Sequence, residues 1–189
     1  MGKGRLEAFS DGVFAIIITI MVLELKVPHG AELSNLLELA PVFLSYVLSF
    51  TYVAIYWNNH HHFFHVVKKV NGRILWANLF LLFCLSLMPF TTGWMGENHF
   101  ATWPVVIYGV NLLMCAIAYS IMTIMVMTTK GNEDVASAVG DGRKDKISLA
   151  TYILSIPLAF YYPWVSGVLF VLVAVIWFIP DRRMERMFS

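Results

Sequence analysis

Six apolar segments, each long enough or nearly long enough to cross a bilayer, leave this chain few folds to adopt. They run over residues 9–27, 39–64, 74–93, 104–127, 147–161 and 163–179. Inside a hydrocarbon core every backbone N–H and C=O must be satisfied within the segment, so segments of this length and pattern are helices. The last two lie near the lower limit of about 17 residues. Pro157 and Pro163 flank the turn between them, which predicts a tight hairpin. Apolar residues form 59% of the 189-residue chain and charged residues 13%, against about 45–50% and about 25% in soluble domains. Residues 1–189 therefore read as one all-α integral membrane domain of six transmembrane helices.

Charge placement orients those spans. Lys3 and Arg5 precede the first; Lys68, Lys69 and Arg73 separate the second from the third. Lys130, Arg143, Lys144 and Lys146 separate the fourth from the fifth, and Arg182, Arg183 and Arg186 follow the sixth. Six crossings place all of these on one side and leave only Lys26 opposite. The positive-inside rule puts that side, with both termini, in the cytoplasm. Trp94, Trp103, Tyr161, Tyr162 and Trp164 cluster at the expected outer boundary, as interfacial aromatics do. The first segment lacks the small-residue cleavage site of a signal peptide. Cys84 and Cys115 both fall within apolar spans, which speaks against a disulfide framework. A net charge of +1 gives no case for nucleic-acid binding. The loop 128–146, with its Gly131-Asn-Glu-Asp and Gly140-Asp-Gly clusters, is expected to be a flexible cytoplasmic connection.

The first segment is not a plain anchor. It carries Phe9, Ser10 and Asp11 near its cytoplasmic end, then branched aliphatics interrupted by Thr19. A carboxylate in such a segment costs roughly 2.5–3.5 kcal/mol on insertion scales, so it requires a partner or water. At about 100° per residue, with Ile16 as reference, Ile20 falls at about +40°, Leu23 at about −20° and Thr19 at about −60°. Gly12 and Val27 extend this stripe. Asp11 falls about 140° away with Glu7 beside it. The expectation is that the acid's side looks into the protein, while the aliphatic stripe faces lipid, a neighbour or a pore.

The partners for Asp11 are sought in the second and third segments. Asn58, Asn59 and His60 lie at about its depth, as does Asn78, and at least one of His60, His61 or Asn58 is expected to meet Ser10 or Asp11. His61 and His65 share a helix face at a spacing that can bind a metal, although no third ligand of good spacing is evident. Arg5 extrapolates to the aliphatic side, where it turns toward a subunit boundary or an acid, or snorkels to the headgroups. Glu24 and Lys26 sit at the outer end, either concentrating cations or forming a solvated helix terminus. Gly109 and Asn111 suit packing between membrane helices.

Arg5-x-x-x-Phe9-Ser10-Asp11, the aliphatic helix and Leu23-Glu-Leu-Lys-Val-Pro28 resemble the signature of the transmembrane-protein-175 family of potassium channels. Trp57-Asn-Asn-His-His, Pro180-Asp-Arg-Arg and the six-span length resemble its single-repeat prokaryotic branch. The resemblance implies a homotetramer with four first helices around a central pore, in a prokaryotic plasma membrane. It implies a constriction of aliphatic rings, mapping to Ile16, Ile20 and Leu23. It also implies that Arg5, Phe9, Ser10 and Asp11 tie helices together rather than touching the ion. The partners are then the chain itself, the lipid bilayer and monovalent cations, with potassium permeant and no cofactor.

No Thr-Val-Gly-Tyr-Gly filter is present, so a carbonyl cage is not available for selectivity. A hydrophobic constriction gating by dewetting takes its place, with Thr19 lending hydroxyl oxygens at its edge. Two other classes stay open at this point. A metal-dependent membrane enzyme would use His60, His61, His62 and His65 with Asp11, and a proton-coupled transporter would use the intramembrane acid as a relay.

Overall fold

The computed structural model describes residues 2–133, 135 and 142–178. The expectations resting on Arg182, Arg183 and Arg186, on Pro180-Asp-Arg-Arg, on residue 179 and on the 136–141 part of the loop lie outside these residues. Eight helices are found among the described residues: α1 Lys3–Leu23, α2 Leu33–Leu37, α3 Ala40–Val66, α4 Gly72–Ser86, α5 Met88–Glu97, α6 Thr102–Met127, α7 Arg143–Ala159 and α8 Pro163–Phe178. Four passes are long and apolar enough to cross a membrane: α1, α3, the joined α4–α5 and α6.

Cross-links fix the direction of each pass. Lys3 Nζ donates to the His65 carbonyl at 3.0 Å, so α1 starts where α3 ends. Asn71 Nδ2 donates to Thr129 Oγ1 at 3.0 Å, and Asn132 Oδ1 accepts from the Lys68 and Lys69 amides at 3.0 and 2.8 Å, so α4 starts where α6 ends. Lys144, at the start of α7, lies over the ring of Trp177 at the end of α8. The long elements therefore run alternately up and down. Lys3, Lys68, Lys69, Arg73, Lys130, Arg143, Lys144 and Lys146 gather at one end. At the other, Lys26 is ion-paired with Glu97, whose hydrogen bond raises the ammonium's pKa above its ordinary value.

Element boundaries differ from the sequence expectation in places that have local causes. The first helix starts six residues early and stops at Leu23, so Val27 lies beyond it and cannot extend the α1 stripe. The third pass is broken at Leu87. Pro89 has no N–H to offer the Leu85 carbonyl and its ring crowds that turn, so the helix restarts as α5 with proline in its first turn. α5 ends with His99 and Phe100 at φ 49° and 57°. The His99 amide donates to Gly96 O at 3.1 Å and the Phe100 amide to Met95 O at 3.0 Å, a Schellman closure made without glycine. The short α2 was not expected from the sequence; Leu33, Leu36 and Leu37 on it are all exposed.

Small residues let α5 lie against α3. Thr92 Oγ1 donates to Ser49 Oγ at 2.6 Å, and the Ser49 and Tyr108 hydroxyls share a hydrogen bond of 2.9 Å. A Cβ on Gly96 would come within 2.4 Å of Ser45 Oγ and 2.7 Å of Val42 Cα. Gly109 and Asn111 do serve packing: Gly109 faces the Phe170 ring, and Asn111 Nδ2 donates to Thr91 Oγ1 at 3.3 Å. Outside this core the helices expose Phe43, Leu44, Val47, Phe80, Phe83 and Trp76, a surface suited to lipid or to other subunits rather than to water.

Candidate functional site

Helix α1 packs along one narrow face. Leu6, Ser10, Phe14, Ile17 and Met21 are buried, recurring at intervals of four, four, three and four residues. That face is centred roughly 120° from Ile16 on the helical wheel. The flank beside it is bare in the subunit: Ile16 is 57% exposed, Ile20 43% and Leu23 77%. Gly12 and Thr19 are exposed with them. Phe9 continues the apolar flank toward the basic end.

Thr19 is prepared for a polar contact from this row. Its hydroxyl proton is directed to its own helix, with Oγ1 3.1 Å from the Ala15 carbonyl and 2.9 Å from that of Ile16. The hydroxyl oxygen thus keeps its lone pairs for an acceptor role toward the exposed side.

At the basic end, Ser10 enters a buried chain of hydrogen bonds across three helices. Asn78 Nδ2 on α4 donates to Ser10 Oγ at 3.0 Å. Asn78 Oδ1 accepts from His60 Nε2 on α3 at 2.8 Å, because an amide oxygen can only accept. The His60 ring meets the edge of Phe14 at 5.6 Å between centroids and packs on Phe64 at 4.6 Å. His60 therefore reaches Ser10 through Asn78 rather than directly.

Asp11 differs from expectation. Its carboxylate is exposed on the subunit, and Oδ1 accepts from the Trp57 indole N–H at 3.0 Å. The helix buries the face between Asp11 and the aliphatic row instead of the acid's own side, since Phe14 and Met21 offer far more apolar area there. Neither Asn58 nor His61 meets Ser10 or Asp11: Asn58 is exposed, and His61 stacks on Trp57 at 6.0 Å. Asn59 Nδ2 donates to the Ile55 carbonyl of its own helix at 2.9 Å. Arg5 is exposed.

Trp57 is the partner that depth and amide or imidazole chemistry do not single out: its spacing of four from His61 puts the two rings on one face, and its indole N–H is the donor that reaches Asp11. The histidines do not converge on a common centre. His60 is buried with Nε2 committed to Asn78, whereas His61 and His65 are exposed. Among the described residues no group of three or more His, Cys, Asp or Glu is placed to hold a metal. Glu24 at the outer end lies against Gly93, with Oε2 3.2 Å from where a Cβ would stand.

Comparison with known proteins gives a consistent picture. The model of the TMEM175 family, described as endosomal/lysosomal potassium channel TMEM175, matches residues 5–89. A potassium channel of Chryseobacterium sp. (strain P1-3) is 56% identical over 187 residues, covering 98% of this chain and 97% of that protein. The endosomal/lysosomal proton channel TMEM175 of Gallus gallus is 34% identical over 101 residues, which is 47% of this chain and 20% of that one. The crystal structure of a lysosomal potassium-selective channel TMEM175 homolog from Chamaesiphon minutus superposes with a TM-score of 0.82 at 29% identity. It covers 93% of this chain and 95% of that one.

Proposed function

The chain belongs to the TMEM175 family, in its single-repeat prokaryotic branch, and we propose that four copies assemble so that their α1 helices line a potassium pathway. It is a potassium channel and not an enzyme, in keeping with relatives that match it over nearly its whole length. The observation that carries the pore reading is the row of Ile16, Ile20 and Leu23 left bare on α1, while a separate face of the helix, with Leu6, Ser10, Phe14, Ile17 and Met21, is packed into the subunit.

Four such rows facing an axis form successive aliphatic rings. Drawn close, they exclude water and stop ions by dewetting. Drawn apart, they admit ions that shed part of their hydration. Potassium holds its water less tightly than sodium, so an apolar squeeze favours potassium modestly. Thr19, with its oxygen free to accept, sharpens that preference from between the Ile16 and Ile20 rings. The Ser10–Asn78–His60 chain and the Asp11–Trp57 bond hold α1 to α3 and α4 and so set the angle at which the row meets the axis.

The shorter α7 and α8 complete six crossings as a hairpin, and the basic end faces the cytoplasm of a prokaryotic cell. Ion flux in liposomes under a potassium/sodium bi-ionic gradient tests the reading. Ile20→Asn and Leu23→Ala are expected to raise conductance and to lower the potassium/sodium ratio. Channels in which neither substitution alters either quantity would place the constriction elsewhere.

A further inference from the structure

The segment that follows α1 lies along one face of α5. Gly93 and Glu97 are four residues apart and share that face. Gly93 is buried and has no side chain, and Glu24 rests on it, with Oε2 3.2 Å from where a Cβ would stand. One turn further out, Lys26 Nζ donates to Glu97 Oε1 and forms an ion pair with it. Two contacts in succession therefore tie the turn beyond Leu23 to α5. We propose that Lys26 is a positioning residue of the channel: paired with Glu97, it holds the outer end of α1 back from the axis and so sets how widely the Leu23 ring stands open. This role rests on the reading of α1 as the pore lining.

A tether needs a fixed post, and α5 is one. Thr92 Oγ1 donates to Ser49 on α3, Thr91 Oγ1 accepts from Asn111 on α6, and Gly96 lies against Ser45 and Val42. Thr91, Thr92, Gly93 and Met95 are all buried, so α5 stands on the packed side of α1, away from the bare row. The break at Leu87 divides the labour. The inner turns of α1 are held by α4 through Asn78 and Ser10, and its outer end by α5 through Glu97 and Gly93. An exposed ion pair biases an equilibrium by only about two- to fivefold, a size that suits tuning of an aperture better than building of a fold.

The competing role for these charges is a field at the outer mouth, and the two roles differ in sign. For a field, losing the ammonium raises potassium current and losing the carboxylate lowers it. A lost tether lowers the current in both cases. The test is planar-bilayer recording of full-length wild type, Lys26→Met, Glu97→Gln and the exchanged pair Lys26→Glu/Glu97→Lys. Mean potassium current per channel is expected to fall about two- to fivefold in both single variants and to recover in the exchange. Opposite shifts, no shift, or an exchange that restores nothing overturns the proposal. Ile20→Asn is recorded alongside. If it alters the current while the pair variants do not, the constriction stands and the tether falls; if it too is silent, the pore reading falls and the tether with it. A spin label on Val27→Cys reads the displacement directly, because Val27 is exposed and Cys84 and Cys115 are buried. A shorter distance between subunits is expected in Glu97→Gln, and an unchanged distance overturns the tether.

Discussion

The Asn78 amide joins Ser10 to His60: Nδ2 donates to Ser10 Oγ at 3.0 Å while Oδ1 accepts from His60 Nε2 at 2.8 Å. All three side chains are buried. One residue of α4 therefore positions α1 against α3, using both ends of a group whose two polarities are fixed by chemistry.

Removing that bridge should cost more than removing either partner. Asn78→Ala leaves the His60 N–H and the Ser10 hydroxyl without their bonds to Asn78, a loss of about 1–3 kcal/mol for buried polar groups left unsatisfied. Ser10→Ala removes one interhelical bond, worth about 0.6 kcal/mol in membrane proteins on average. Thermal melting in detergent reads both. An Asn78→Ala protein as stable as wild type would show that the chain contributes nothing to packing.

Asp11 and Trp57 are expected to act on assembly. Asp11→Ala and Trp57→Phe both delete the 3.0 Å bond, and the second keeps most of the ring area. Size-exclusion chromatography should show less assembled protein in each case, with the potassium/sodium ratio of the surviving channels unchanged. Altered selectivity in a fully assembled Trp57→Phe protein would move this pair into the ion pathway.

Gly96 should tolerate nothing larger. An added Cβ would meet Ser45 Oγ at 2.4 Å and the Val42 backbone at 2.7 Å, so α5 must move off α3. Overpacking of this kind costs about 1–3 kcal/mol. Gly12→Ala is the matched control, because nothing stands within 4 Å of its Cβ in the subunit. Gly96→Ala is predicted to lower the melting temperature and Gly12→Ala not to. Equal behaviour of the two would mean that α5 can move off α3 without loss of stability.

His99 offers a stabilising substitution. It holds a left-handed φ of 49° at the end of α5, where a side chain costs about 1–2 kcal/mol. His99→Gly relieves that cost while keeping the amide bond to Gly96 O, and glycine's greater freedom in the unfolded chain offsets part of the gain. A net rise in melting temperature is expected. No rise would indicate that the imidazole makes a compensating contact.

Much of this architecture was legible because bilayer-length apolar runs admit only helices and because the positive charges fall in alternate loops. Less was legible where a single local group overrides the run. Pro89 stood in plain view, yet the third apolar segment reads as one uninterrupted helix until the missing N–H is set against the Leu85 carbonyl. The extent of α1 was shifted for the same reason: hydropathy locates the greasy centre of a helix and says little about where polar turns such as 3–8 continue it.

By itself the sequence determined that the chain is all-helical and membrane-embedded, and that Ile16, Ile20 and Leu23 share one flank of α1. Those properties depend on backbone periodicity and transfer free energy, which act residue by residue. Tertiary structure decided which flank of α1 was buried, that Ser10 is satisfied by Asn78, and that Asp11 takes an indole N–H from Trp57 and not an amide or imidazole. Several donors on α3 and α4 lie at the same depth as these groups. Only the rotation and approach of whole helices, set by the fit of Phe14, Ile17 and Met21 into the core, brings one of them to hydrogen-bonding distance.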